Sequence, residues 1–363
     1  MHITIIAGAR PNFMKIAPLI HAIQKKQDAG YDIQYSLVHT GQHYDEKMSG
    51  TFFKELLIPQ PDVNLNCGGG TQAEQAAAIM VKFEKYLTIH PTNLVLVVGD
   101  VTSTMACSIV AKKLQTKIAH IEAGIRSFDL SMPEEINRMV TDSITDYFFT
   151  TSKHANNNLA NIGVGKDKIF FVGNVMIDTL LSNLSRLKKP KEWDALKLLP
   201  QKYIVLTLHR PNNVDEYDHL KKLLVDITSS VHQLPVVFPI HPRTEKIVQQ
   251  LDINAENLYI IPPQGYLEFN YLVKHSKAVI TDSGGITEET TVMHIPCITL
   301  RDNTERPETC EIGTNTLVGS SAQTLKPTLE RIFSNEYPYG EIPQRWDGNT
   351  STRIIEIIYD ILN

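Results

Sequence analysis

Short apolar runs alternate with longer amphipathic stretches along the whole chain, and this alternation is what most restricts its fold. Runs of four to six apolar residues bounded by turn residues suit strands buried on both faces. The stretches between them carry the 3.6-residue recurrence of helices. In the first half, strands are predicted at 3–7, 34–39, 94–98, 118–121, 147–150 and 169–172. In the second they are predicted at 203–208, 236–240, 258–261, 278–281 and 297–300. The helix expected over 71–86 starts at Thr71 as N-cap, with Glu74 completing a capping box and Ala76, Ile79, Met80 and Phe83 on one face. Residues 187–201 bring lysines and prolines and lose the regularity, which marks a crossing between domains. The expected fold is α/β, with two doubly wound Rossmann-like domains at 1–172 and 173–349. A last helix, with Ile354, Ile357, Ile358 and Ile361 on one face, must pack on something. Residues 350–363 returning to the first domain is one solution, and spacing alone does not choose it.

A chain of 363 residues exceeds one ordinary core, consistent with two domains. The net charge of -5 argues against a broad nucleic-acid-binding surface, so any recognition of phosphate has to be local. Cys67, Cys107, Cys297 and Cys310 form no CxxC pair, so neither a zinc site nor a redox motif is indicated. Free thiols in a reducing cytosol are the expectation. The first residues enter a strand and not a secretion signal, and no segment is long and apolar enough for a bilayer. A cytoplasmic protein without membrane association is expected.

The densest chemical signal is 279–289, a buried strand, a double-glycine turn at Gly284 and Gly285, and a helix start. Free N–H groups in the first turn of such a helix make an anion site, and Glu289 could accept from a ribose. Alone, this turn is only moderately specific; a purely structural strand-to-helix turn fits about as well. In doubly wound sheets ligands sit at the carboxyl ends of strands, and polar groups cluster there. Arg10 and Lys15 follow the first strand, Gln42, His43 and Asp45 the second, Asp100 the third, and Glu122 and Arg126 the fourth. Asp100 as a cap for a helix starting near Thr102 is an equally good reading. Pro133-Glu134-Glu135 reads as a helix start, with Arg138 one turn on for an ion pair. In the second half His209 and Arg210, then His241 and Arg243, follow strands, and Arg301 and Arg306 are suited to oxyanions.

Together, the segments 8–15, 40–43, 99–100, 120–124, 133–138, 281–285 and 304–308 resemble the non-hydrolysing UDP-N-acetylglucosamine 2-epimerases almost end to end. The resemblance implies two domains of the glycosyltransferase-B type with the active site between them. It implies reversible conversion of UDP-GlcNAc to UDP-ManNAc, for bacterial surface polysaccharide synthesis, with no cofactor and no metal. The chemistry would be loss of UDP to give 2-acetamidoglucal, then re-addition with C2 inverted. By the same resemblance Asp100, Glu122, Glu134 and His209 are the catalytic set. Arg10 and Lys15 are cleft cations. Ser283, Gly284, Gly285, Glu289 and Arg306 bind UDP, with Gln264 and Phe269 beside the uracil. A second, activating UDP-GlcNAc would use Gln42, His43, Arg210 and His241, although an arginine expected near Cys67 is absent. A homodimer is implied.

Three departures stand out: Ala9 and Asn12 in the first turn, and Pro211-Asn212 after His209-Arg210. The segments 8–11 and 40–45 are also similar to the branch acting on UDP-2,3-diacetamido-glucuronic acid, which leaves the substituents at C3 and C6 open. A glycosyltransferase of the same architecture, and a UDP-sugar-binding regulator without catalysis, are the competing classes.

Overall fold

The apolar runs form parallel strands because their β-branched and aliphatic residues are buried on both faces between helical layers. In the computed structural model, the described residues are 1–41, 53–240, 242–248, 250–251, 253, 255–319, 322–338 and 340–363. The side chains of Arg10, Pro211, Asn212, Pro242, Arg243, Ala322 and Gln323 also lie outside the description. The chain divides into two compact units, Met1–Ser182 with Gln344–Asn363, and Asn183–Pro343.

The first unit holds a seven-stranded sheet in the order β3-β2-β1-β4-β5-β6-β7. Its strands are β1 His2–Ala7, β2 Gln34–His39, β3 Val63–Asn64, β4 Leu94–Val98, β5 Lys117–Ile121, β6 Tyr147–Thr150 and β7 Ile169–Phe171. The second unit holds six strands in the order β10-β9-β8-β11-β12-β13. These are β8 Ile204–Thr207, β9 Val236–Pro239, β10 Leu258–Ile261, β11 Ala278–Thr281, β12 Cys297–Thr299 and β13 Asn315–Leu317. Every neighbouring pair is parallel. Strand order therefore reverses between β1 and β4 in one sheet and between β8 and β11 in the other, the switch points where doubly wound sheets bind ligands.

The fully buried Ile3, Ile5, Leu94 and Leu96 lie along the central strands of the first sheet. The second sheet has a core on each face, one including Ile204, Leu206 and Phe238, the other Val205, Val237 and Val279. The alternation of these residues along β8 and β9 is the two-residue period of a strand covered on both sides.

Two short edge strands, Val63–Asn64 and Asn315–Leu317, were not anticipated, because runs so short and polar carry no periodic signal. The helix Gln72–Ile89 opens as expected, with the Thr71 side chain accepting from Glu74 N and Glu74 accepting from Thr71 N at 2.8 Å. Helix Val175–Asn183 lies in the first unit as far as Ser182, so that unit runs past 172. Thr179 donates to Met14 O, and Asp178 accepts from the backbone N–H groups of Thr350 and Ser351. Those last two bonds hold the start of helix Thr350–Leu362, which buries Ile354, Ile355 and Ile358 in the first unit. Among the described residues no helix is long and apolar enough to cross a membrane.

Candidate functional site

In the first unit, polar groups gather at the carboxyl ends of β1, β4 and β5. Helix Arg10–Asp28 starts directly after β1, and Asn12 sits in its first turn in place of an acid. Asn12 Oδ1 accepts from the N–H groups of Gly8 and Ala9, and its Nδ2 donates to Val98 O at 2.9 Å, so the amide ties β1 to β4 without a charge. One turn on, Lys15 is buried and its Nζ lies 2.6 Å from Glu122 Oε2. Glu122 follows β5 with φ of 68°, a left-handed conformation costly for a side chain of this kind and typical of sites where structure is held for function. Gly99, also left-handed, makes the turn after β4; a Cβ there would stand 3.0 Å from Lys15 Nζ and 3.8 Å from Glu122 Oε2. Asp100 is thus carried on a turn that forms one wall of the lysine–glutamate pair.

Asp100 does not cap the following helix, whose N-cap is Val101. Its carboxylate instead lies 2.5 Å from Arg138 Nη1, and Asn137 donates to its backbone oxygen. Arg138 also pairs with Glu135 at 2.8 Å, and Glu135 accepts from the N–H groups of Ser127 and Phe128. The helix starts at Pro133 as expected, but the two glutamates part ways: Glu135 is buried in this network, whereas Glu134 is exposed. A third layer fixes the turn from beneath. His120 lies with Nδ1 2.7 Å from Asp142 and Nε2 2.8 Å from Gly99 O, and Asp142 also meets Arg126 at 2.6 Å. Burial would raise the Asp142 carboxyl, yet the charges and hydrogen bonds of His120 and Arg126 hold it below its ordinary value.

In the second unit the site is built at the carboxyl ends of β8 and β11, which Thr207 and Thr281 join through their hydroxyls at 2.6 Å. Helix Gly284–Val292 begins directly after the β11 turn, with Ser283 at its N-cap and, among the described residues, no side chain capping it. Ser283 N donates to Thr281 Oγ1, so the donors left to the helix start are those of the glycines and the residue after them. Asp282, fully buried, accepts from the N–H groups of His209 and Arg210 and from Asn213 Nδ2, and lies 2.7 Å from His209 Nδ1. Burial would raise this carboxyl; the bond and charge of His209, with the Arg210 N–H, bring it below its usual value. With Nδ1 turned to Asp282, Nε2 of His209 is the ring nitrogen left for a ligand, on a side chain that is exposed.

Glu289 is buried one turn into the helix, accepting from Tyr266 OH at 2.8 Å and from Asn270 at 3.4 Å. Burial pushes its carboxyl up to about 7, because hydrogen bonds from neutral groups offset only part of the desolvation. Arg306 is buried against Glu288, with Nε 2.6 Å from Oε1. Gln264 donates to Pro262 O, and Phe269 is half-buried on the core beneath it. Arg210 is engaged internally, through Nε to Asp282 O and Nη2 3.7 Å from Glu305. Gln42, His43 and His241 lie outside the described residues, as does the Arg10 side chain.

The expected residues therefore gather in two groups: Lys15, Asp100 and Glu122 in one unit; His209, Ser283, Gly284, Gly285, Glu289 and Arg306 in the other. Sequence reading passed over the partners that fix them, Asp282, Glu288, Tyr266, Asn270, His120 and Asp142. Only the Glu135–Arg138 pair had a local signal, their spacing of three on one helix.

A family model described as UDP-N-acetylglucosamine 2-epimerase matches residues 24–359. This chain belongs to the UDP-N-acetylglucosamine 2-epimerase family. It is 40% identical to the UDP-N-acetylglucosamine 2-epimerase of Methanocaldococcus jannaschii over 372 residues, covering 99% of each chain. It is 39% identical to the UDP-2,3-diacetamido-2,3-dideoxy-D-glucuronate 2-epimerase of Pseudomonas aeruginosa, again over 99% of each. The crystal structure of the M. jannaschii epimerase in complex with UDP-GlcNAc and UDP superposes with a TM-score of 0.89 at 39% identity, covering 99% of this chain and 100% of that one. The glycosyltransferase-B type of these epimerases is thus the fold of this family member, and its class of enzyme is an isomerase.

Proposed function

We propose that this epimerase interconverts UDP-GlcNAc and UDP-ManNAc by eliminating UDP across C1 and C2 and re-adding it to 2-acetamidoglucal with C2 inverted. The observation that supports this most is the pairing of Lys15 with Glu122 beside the Gly99–Asp100 turn, at a sheet's switch point. Abstracting a C2 proton needs a carboxylate held in place, and Lys15 fixes Glu122 through an ion pair, as Arg138 fixes Asp100. Glu134 is assigned as a third acid–base group of this set, and His209, with Nδ1 turned to Asp282, as the group that stabilises or protonates the leaving diphosphate. Backbone N–H groups at Gly284 and Gly285 then bind the diphosphate. Glu289 takes the ribose hydroxyls, Arg306 supports the cradle, and Arg10 adds a cation. Gln264 and Phe269 flank the uracil.

Activation by a second UDP-GlcNAc through Gln42, His43, Arg210 and His241, a homodimer, a cytoplasmic location and a role in surface polysaccharide synthesis complete the proposal. They rest on family membership. The 39% identity to the P. aeruginosa relative favours a second reading, in which the substrate is a UDP-2,3-diacetamido-glucuronic acid. Incubation of the enzyme in heavy water with each sugar nucleotide decides between them. Deuterium at C2 with no net release of UDP is expected for the true substrate. Unlabelled UDP-GlcNAc beside a labelled uronate would move the assignment to the second reading, and no label in either would reject epimerisation.

A further inference from the structure

We propose that Arg301 is a diphosphate-binding residue of this enzyme, donating from Nη1 to a phosphoryl oxygen held at the start of helix Gly284–Val292. Three observations in the second unit lead there. Arg301 is 7% exposed, and its backbone is fixed where Gly319 N donates to its carbonyl. One edge of its guanidinium is occupied, with Nη2 3.1 Å from Asn303 Oδ1 and 2.7 Å from Glu305 Oε2. Nη1 is buried and has no hydrogen-bond partner among the described residues. A buried guanidinium N–H left unmatched is costly, so its retention points to a ligand acceptor.

The direction of that nitrogen identifies the ligand. A Cβ built on Gly284 would lie 3.8 Å from Arg301 Nη1 and 3.5 Å from Glu305 Oε1, ordinary van der Waals separations. Gly284 is not in the left-handed region either, so neither backbone angle nor packing among the described residues demands glycine here, and its bare Cα leaves room for a ligand to approach the backbone closely. Nη1 and the uncapped N–H groups of the helix's first turn are therefore donors bordering one space, and a tetrahedral phosphoryl group can accept from both. Glu305 stays ionised beside Arg301, because burial would raise its carboxyl but the charges of Arg301 and Arg306 hold it at about 2. The contribution of Arg301 is accordingly directional hydrogen bonding more than net charge.

This inference rests on the reading of the glycine turn as the UDP cradle, and the test separates the two. UDP affinity is measured by calorimetry and uridine affinity by saturation-transfer NMR, for the full-length enzyme and for R301K, R301Q, R301Q/E305Q and G284A. Loss of a charge-assisted hydrogen bond predicts UDP binding weakened on the order of 10- to 100-fold in R301Q and in the double variant, with uridine affinity changed by less than about twofold. R301K keeps Glu305 paired and covers the case in which R301Q does not fold; it is expected to lose UDP affinity selectively as well. Full recovery of UDP binding in R301Q/E305Q would show that Arg301 only neutralises Glu305, and equal losses for UDP and uridine would show a structural role. Either result overturns the proposal. Unchanged UDP affinity in G284A would instead remove the cradle itself, whereas loss in G284A with R301K and R301Q unaffected would remove Arg301 alone.

Discussion

The two switch points of this molecule share charge pairing and differ at one buried carboxyl, Glu289. In the first unit each carboxylate brought into the cluster meets a cation: Glu122 with Lys15, Asp100 and Glu135 with Arg138, Asp142 with Arg126. In the second, Asp282, Glu305 and Glu288 likewise meet His209, Arg301 and Arg306, but among the described residues Glu289 meets only the neutral donors Tyr266 and Asn270, and burial drives its carboxyl to about 7. The contrast fits the two halves of the proposed reaction. Groups that move protons have to be held at fixed positions, so ion pairing and a left-handed backbone at Glu122 suit them. Groups that recognise a nucleotide need directed hydrogen bonds, which uncapped helix N–H groups and a buried carboxyl with neutral donors supply.

The largest effect expected from breaking the first unit's charge pairing is on turnover. Glu122→Gln and Asp100→Asn should each lower C2 exchange by about 10²- to 10⁴-fold while leaving UDP affinity, read by calorimetry, nearly unchanged. A matching loss of UDP affinity in both would erase the division of labour between the units. Removing the cation is expected to act on stability as well. Arg138→Leu leaves Glu135, 1% exposed at its side chain, without its partner and should cost about 3–5 kcal/mol in denaturant unfolding. A cost under about 1 kcal/mol would mean that the backbone donors of Ser127 and Phe128 suffice.

The buried carboxyl of the second unit makes a prediction about pH. Because the folded pKa of Glu289 is raised above its unfolded value, its contribution favours folding at low pH and is lost as pH rises from about 4.5 through about 7. Glu289→Gln should therefore gain on the parent enzyme by a few kcal/mol between pH 5 and pH 8, and UDP binding by the parent should strengthen over the same interval as the carboxylate forms. Stability curves of parent and variant that run parallel across this range would contradict the assignment. The smallest effect separates the two glycines. Gly99→Ala, at φ of 68° and 3.0 Å from Lys15 Nζ, should destabilise by about 1–2 kcal/mol, whereas Gly284→Ala should leave the melting transition within about 0.5 kcal/mol and weaken UDP binding. Equal stability losses would show that both turns are structural.

Much of the architecture was legible because strand and helix signals are local. The strands Gln34–His39, Leu94–Val98, Tyr147–Thr150, Leu258–Ile261 and Ala278–Thr281 coincide with their apolar runs, and the capping box at Thr71 was readable from two residues three apart. The polar residues at strand ends were legible for the same reason, since a doubly wound sheet puts chemistry just after its strands. Their partners were not. Asp100 read equally well as a helix cap, and only the placement of Arg138, 38 residues on, shows it as an ion-pair member.

The sequence by itself therefore determined two parallel sheets, the residues at their carboxyl ends and the family to which they correspond, all properties of short segments read in order. Tertiary structure alone decided which charges meet. Lys15 and Glu122 are 107 residues apart, His209 and Asp282 73, and Tyr266 and Glu289 23. Pairing at such separations depends on strand order and on burial, and these set whether a carboxyl is held ionised by a cation or lifted toward neutrality by desolvation.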